Sequence, residues 1–175
     1  MSLRGKQVAV LVDEGYEDLE FWVPLMRLQE EGVKTHVVGT LAGKRVMSKT
    51  GGLEAVIQVV PSDLTVEQLT AVVVPGGWAP DKLRRDGSIT RLVGDMYRHG
   101  KVVAMICHAG LVGISAGIVK GHRATGSLGI KDDLVNAGAT WVDDAAFRDG
   151  NLVWGRVVPD IPYFCRELIG ALADE

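Results

Sequence analysis

The sequence predicts an α/β domain built on a mostly parallel sheet with helices on both faces. Short runs rich in Val and Ile alternate with longer segments of helical spacing, the pattern of strands buried on both sides. No composition shift, low-complexity stretch or internal repeat divides the chain, so residues 1–175 read as one domain. With 175 residues, 47% of them apolar, the chain can bury roughly two-thirds of its unfolded surface without disulfide staples.

Strands are expected at residues 7–12, 35–39, 71–75 and 102–106, each a β-branched run. Between the first two, residues 16–31 read as a helix. Acids crowd its start, Gly32 stops it, and Leu19, Trp22, Val23, Met26 and Leu28 fall near one face. Pro24 lies inside this helix and removes one backbone donor, which predicts a local kink. Residues 44–60 contain Gly51-Gly52 within an alternating stretch and read as a small antiparallel excursion. Further helices are expected at 88–99, closed by Gly100, at 109–118, at 130–137, closed by Gly138, and at 160–173. Residues 145–148 and 152–155 flank Asp149-Gly150-Asn151 and read as a hairpin.

Composition removes several classes of function. Two cysteines, Cys107 and Cys165, are too few for a disulfide scaffold or a four-cysteine zinc site, which points to a reducing, cytoplasmic compartment. No apolar run approaches a membrane span, and Met1-Ser-Leu-Arg-Gly-Lys6 carries no secretory pattern. A net charge of −3, with both signs spread along the chain, gives no electrostatic footprint for nucleic acid or an anionic membrane. Gly-x-Gly-x-x-Gly, Walker, Cys-x-x-Cys and His-Glu-x-x-His motifs are all missing. No histidine follows position 122, so the late His-x-Glu pair of glutamine amidotransferases has no counterpart.

In open parallel sheets, ligands bind beyond the carboxyl ends of the strands. Three segments leave strands there: Asp13-Glu-Gly-Tyr-Glu-Asp18, Gly76-Gly-Trp-Ala-Pro-Asp81 and Cys107-His-Ala-Gly110. Cys107 ends a strand and opens a helix, the position of a nucleophile elbow, where amides and a helix dipole lower a thiol pKa. The alternative is a buried apolar filler, as most free cysteines are. Cys165 falls at core spacing with Ile161, Leu168 and Leu172. His108, next to Cys107, is a candidate acid or base, whereas His36, His99 and His122 read as structural. Glu14, Glu17, Asp18 and Glu20 suit helix capping, with one acid available to meet the thiol and share its proton. Gly76-Gly77 is either a tight turn or a source of amides for an oxyanion. Trp22, Trp78, Trp141 and Trp154 are dispersed and read as core or rim packing.

Taken together, these pieces resemble the ThiJ/PfpI superfamily, and within it the PfpI-type intracellular cysteine hydrolases and general stress proteins. The resemblance rests on Glu17-Asp-Leu-Glu20 with Pro24, Val74-Pro-Gly-Gly77 with Ala79-Pro-Asp81, and Ile106-Cys-His108. It continues through Ile118-Val-Lys-Gly121, Gly129-Ile-Lys-Asp-Asp133 with Asn136-Ala-Gly138, and Asp149-Gly-Asn151 with Arg156. Several positions depart from the family pattern. Cys107-His-Ala-Gly110 replaces Cys-His-Gly-Pro, and Arg156-Val-Val-Pro-Asp160 displaces a proline by one. Trp154-Gly155 stand where small or hydroxyl residues are usual, and Ser127 stands where another branch carries its histidine.

The resemblance implies a flavodoxin-like three-layer sandwich of the class I glutamine amidotransferase-like type. It implies Cys107 as nucleophile, His108 as adjacent acid or base, and Glu17 as the carboxyl meeting the sulfur. The amides of Gly77 and His108 would form the oxyanion site beside Gly76, with Asp81 of a neighbouring subunit orienting His108. It further implies a dimer or hexamer without metal or organic cofactor. The expected activity is cofactor-independent hydrolase or lyase chemistry on small carbonyls or glycated proteins and peptides, deglycase- or glyoxalase-like, in the stress response. The alternatives are a PfpI-type cysteine peptidase and a non-enzymatic redox sensor in which Cys107 is oxidised.

Overall fold

The computed structural model describes residues 3–175. In chain order its regular elements are β1 (Gln7–Leu11), α1 (Asp18–Glu30), β2 (Lys34–Val38), β3 (Arg45–Met47), β4 (Glu54–Val56), β5 (Ala71–Val74), α2 (Ala79–Leu83), α3 (Gly87–Arg98), β6 (Val102–Ile106), α4 (Gly110–Ser115), β7 (Arg123–Ala124), α5 (Lys131–Asn136), β8 (Thr140–Trp141), β9 (Ala146–Asp149), β10 (Leu152–Gly155) and α6 (Ile161–Asp174). Six strands form the central sheet in the order β2-β1-β5-β6-β10-β9, parallel throughout except for the antiparallel β9–β10 hairpin at one edge. The expected α/β architecture with a mostly parallel sheet is therefore the observed one.

The four central runs were legible because β1, β5, β6 and β10 are almost entirely buried, and a strand covered on both faces must be apolar at every position. Helices α1 and α6 pack together on one side, α6 lying on β6, β9 and β10; α3 packs on α4 and on β5 and β6. The hairpin at 146–155 and the excursion carrying β3 and β4 also formed as expected. Helix α2 and the short parallel pair β7–β8 were not anticipated; two-residue strands and a five-residue helix are shorter than a periodic signal.

Two expectations are corrected here. The buried face of α1 carries Phe21, Leu25 and Leu28, with Asp18, Glu20 and Pro24, whereas Leu19, Val23 and Met26 are exposed. Both stripes of this helix are apolar, so spacing alone could not choose between them. The helix expected from residue 109 to 118 is replaced by a 3-10 turn, Cys107–Ala109, leading into the six-residue α4.

Helix α3 is capped by Asp86. The carboxylate of Asp86 accepts from the amides of Ser88 at 2.8 Å and Ile89 at 3.3 Å, and the Ser88 hydrogen bonds hold its pKa below the usual value. Asp86→Ala is expected to cost about 1 kcal/mol at pH 7. Because the folded-state pKa is depressed, this stabilisation is present above the unfolded value of about 3.9 and disappears as pH falls through the lowered one. Urea titrations of both proteins at pH 7 and at pH 2.5 check both parts.

Candidate active site

The site lies at the carboxyl edge of the sheet, where the segments after β1, β5 and β6 converge. Cys107 directly follows β6 with φ of 62°, and is the one residue other than glycine with positive φ among the described residues. A Cβ in that conformation carries strain. The turn is held by the Ser127 amide, which donates to the Cys107 carbonyl at 3.1 Å, and by close approach of Gly126, where a Cβ would sit 2.5 Å from the same oxygen. The sequence placed this elbow correctly.

The carboxyl that meets the sulfur is Glu20, a correction to the role expected of Glu17. Glu17 is the N-cap of α1 and its carboxylate accepts from the amides of Leu19 and Glu20, both at 2.9 Å. Glu20, three residues on, turns inward with the buried face of the helix and is 0% exposed. Its Oε2 accepts from the Gly76 amide at 2.8 Å, and its Oε1 has no partner. Gly76 is required there: a Cβ would sit 2.4 Å from that Oε2 and 2.7 Å from the Cys107 Cβ.

Burial is the main cause that pushes the Glu20 pKa up, with the charge of Glu17 adding to it, to about 7. Burial likewise pushes the Cys107 thiol up to about 12, the Glu20 charge next, against the amides of His108 and Gly77 aimed at the sulfur. The expected lowering is thus reversed, since burial of the sulfur, and then the charge of Glu20, outweigh the two amides. The two acids behave as a pair holding one negative charge, either as carboxylate and thiol or as carboxylic acid and thiolate. The His108 and Gly77 amides pull towards the second arrangement, while burial of the sulfur makes the first the dominant one.

His108 Nδ1 lies 3.2 Å from the sulfur. Desolvation, and then the charge of Lys49, lower its pKa, so the imidazole is neutral at pH 7 and able to accept a proton. Gly77 supports the facing wall with φ of 77°. Around these groups is a cavity of about 290 Å³ lined by Glu17, Glu20, Lys49, Gly77, Trp78, Cys107, His108, Ser127 and the Val157-Val158-Pro159 segment. Arg156 anchors that last segment through ion pairs to Asp143 at 2.8 Å and to Asp160 at 2.9 Å. Trp154, by contrast, is buried in the core and does not line the cavity.

Cys107, His108, Glu17 and Gly77 are thus brought together, with Gly76 just beneath. Asp81 is not among them: it lies on α2, exposed and paired with Arg85. Cys165 lies elsewhere, in a groove of about 430 Å³ between α1 and α6, with burial raising its thiol pKa to about 11. His36, His99 and His122 bond to Gln7, Asp95 and the Tyr97–Asp149 pair, away from the cavity. No group of three or more His, Cys, Asp or Glu able to hold a metal ion occurs among the described residues, and no described helix is long and apolar enough to cross a membrane.

The sequence missed Glu20 as the sulfur's partner, and it missed Lys49, Ser127 and the exposed rim residue Trp78 as parts of the cavity. Glu20 had one signal, its i+4 spacing to Pro24 on the same helix face. The reach of Lys49, from a hairpin tip thirty residues away, had none.

With this geometry in place, the pattern of the DJ-1/PfpI family matches residues 6–171. The chain belongs to the DJ-1/PfpI family. Among relatives, an uncharacterised protein of Archaeoglobus fulgidus is 40% identical over 166 residues, covering 95% of this chain and 98% of that one. A deglycase of Pyrococcus horikoshii is 35% identical, covering 95% and 99%. A protein of Bacillus subtilis named as a candidate cysteine protease is 33% identical, covering 96% and 99%. Among solved structures, a two-domain protein of Anabaena variabilis with DJ-1/ThiJ/PfpI-like and ferritin-like domains superposes with a TM-score of 0.94 at 34% identity, covering 96% of this chain and 48% of that one. The DJ-1beta of Drosophila melanogaster gives 0.89 at 25% identity, covering 100% and 92%. The fold is accordingly the flavodoxin-like one of these DJ-1/PfpI proteins, and the family at large includes members named as deglycases and one named as a candidate cysteine protease.

Proposed function

We propose that this DJ-1/PfpI protein is a cofactor-independent cysteine hydrolase or lyase of stress metabolism that acts on reactive carbonyls or their adducts, in the manner of a deglycase or glyoxalase. The observation that carries this reading is the compact cavity in which Cys107, His108 and Glu20 meet two backbone amides. The names of the deglycase relatives support it.

In the proposed reaction the Cys107 thiol gives its proton to Glu20 or His108, and sulfur attacks an aldehyde carbon. The C–S bond forms while the carbonyl pair moves onto oxygen, held by the amides of Gly77 and His108. The thiol proton passes to the new oxygen, which frees the base. For an α-oxo aldehyde, His108 then removes the C–H proton of the hemithioacetal and returns it to the neighbouring carbon while the hydroxyl proton moves to the oxygen of that carbon, giving an α-hydroxy thioester. Water cleaves the thioester, releasing the hydroxy acid and restoring the thiol. The carbon skeleton is oxidised at one centre and reduced at the next, so no external oxidant is needed.

The reading includes a cytoplasmic homo-oligomer, dimer or hexamer, in which Asp81 of a neighbouring subunit orients His108. A PfpI-type peptidase is the second reading, supported by the name of the Bacillus subtilis relative. A cavity of about 290 Å³ suits a small carbonyl better than an extended peptide. The test is turnover of methylglyoxal by the purified protein. Cys107→Ala is expected to reduce it to background while Cys165→Ala leaves it intact. Activity that survives loss of Cys107, or a lack of turnover accompanied by Cys107-dependent peptide cleavage, overturns the reading.

A further inference from the structure

We propose that Lys49 selects carboxylate-bearing carbonyl substrates at this site, so that the preferred small molecule is an anionic α-oxo aldehyde rather than a neutral one. The inference rests on the carbonyl reading above and names its substrate class. Among the described residues, Lys49 is the one cationic side chain lining the cavity. Its charge is felt by both Glu20 and His108, and its ammonium has no ion-pair or hydrogen-bond partner among the described residues, unlike Lys44, which is 2.9 Å from Asp13. An exposed cation left unpaired at the wall of this cavity is available to a ligand anion.

The backbone beneath it is fixed rather than loose. The Lys49 amide donates to the Tyr16 carbonyl at 2.8 Å, the Ser48 amide to Leu53 at 2.8 Å, and the Gly51 amide to Ser48 at 2.9 Å. Thr50 Oγ1 donates to the Asp18 carboxylate at 2.6 Å, and the Tyr16 hydroxyl to the Leu53 carbonyl at 3.0 Å. The excursion between β2 and β5 is therefore tied to the turn before α1, with Lys49 at the cavity. Trp78, 66% exposed and held by its amide to the Gly15 carbonyl at 2.7 Å, supplies an apolar face for the carbon body of the same ligand. A carboxylate the size of 4,5-dioxopentanoate, about nine non-hydrogen atoms, fits within the cavity of about 290 Å³.

Two pairs of probes differing only in charge test this. The first is iodoacetate against iodoacetamide, with labelling of Cys107 followed by mass spectrometry. The second is 4,5-dioxopentanoate against its methyl ester, followed by turnover. In each pair the ratio of anionic to neutral rate cancels any change in thiolate fraction. Lys49→Gln is expected to lower both ratios by about 3- to 5-fold, the scale of one exposed ion pair, while Lys49→Arg retains them. Unchanged ratios in Lys49→Gln, with both carbonyls still consumed, overturn Lys49 as selector and leave the carbonyl reading standing. A lowered alkylation ratio with no carbonyl turnover in any variant upholds Lys49 as the anion selector and overturns the carbonyl reading.

Discussion

Glu20→Gln is expected to stabilise the folded chain by about 3 kcal/mol at pH 8 and to leave its stability unchanged near pH 4. The carboxyl is raised from 4.5 to about 7 by burial and by Glu17. Each unit of such a shift corresponds to about 1.4 kcal/mol. A group whose folded pKa lies above its unfolded one contributes stability below the unfolded value and loses it as pH rises through the folded one. Above about pH 7 the wild-type chain therefore buries a charge with one oxygen unpartnered, a penalty that a neutral glutamine does not carry. Denaturant titrations at pH 4 and pH 8 measure the difference, and an equal effect at both values sinks the argument.

The same substitution alters the chemistry of the thiol. In the wild type, the coupled pair predicts a Cys107 alkylation rate that rises near pH 7, levels off, and rises again towards 12. The plateau is the share of the singly ionised pair with its charge on sulfur. Glu20→Gln should collapse this profile to one rise, because a single ionisable group remains. A single step near 9 in both proteins would falsify the pairing. A gain in stability bought by loss of proton sharing is what a functional carboxyl predicts.

Gly77→Ala is expected to destabilise the chain by about 2 to 6 kcal/mol, from left-handed strain and overpacking together. An alanine methyl at that position would sit 2.4 Å from the Glu17 nitrogen and 2.5 Å from the Gly15 oxygen, at φ of 77°. All the nearest atoms are backbone, so no side chain can swing aside. Relaxation would have to move the turn before α1, and with it Glu17, Glu20 and the amide aimed at sulfur. Gly87→Ala is the control: nothing lies within 4 Å of its Cβ position, and it heads α3, so it is expected to gain about 0.5 kcal/mol. Circular dichroism and urea titration compare the two. Wild-type stability in Gly77→Ala would contradict the packing described.

The central strands and the elbow were legible for a shared reason. A run such as Val102-Val-Ala-Met-Ile106 is apolar at every position, and Cys107 stands where that run stops before a Gly-containing turn. Local sequence suffices for both. The inward face of Ile161, Cys165, Leu168 and Leu172 on α6 was equally readable, because a single apolar stripe leaves one choice. Helix α1 offered two, and the stripe through Leu19, Val23 and Met26 is the exposed one. That choice decided the site as well, since Glu20 turns inward only if Phe21, Leu25 and Leu28 do.

What the sequence determined by itself was the order of the elements and the address of one thiol at the end of a buried strand, both properties of neighbouring residues. Tertiary structure decided which acid meets that thiol and which cation overlooks it. Glu20 is selected by the face α1 buries, and Lys49 by hydrogen bonds from its hairpin to Tyr16 and Asp18, more than thirty residues away. The direction of the thiol's pKa was settled there too, because desolvation and a buried carboxylate act through space.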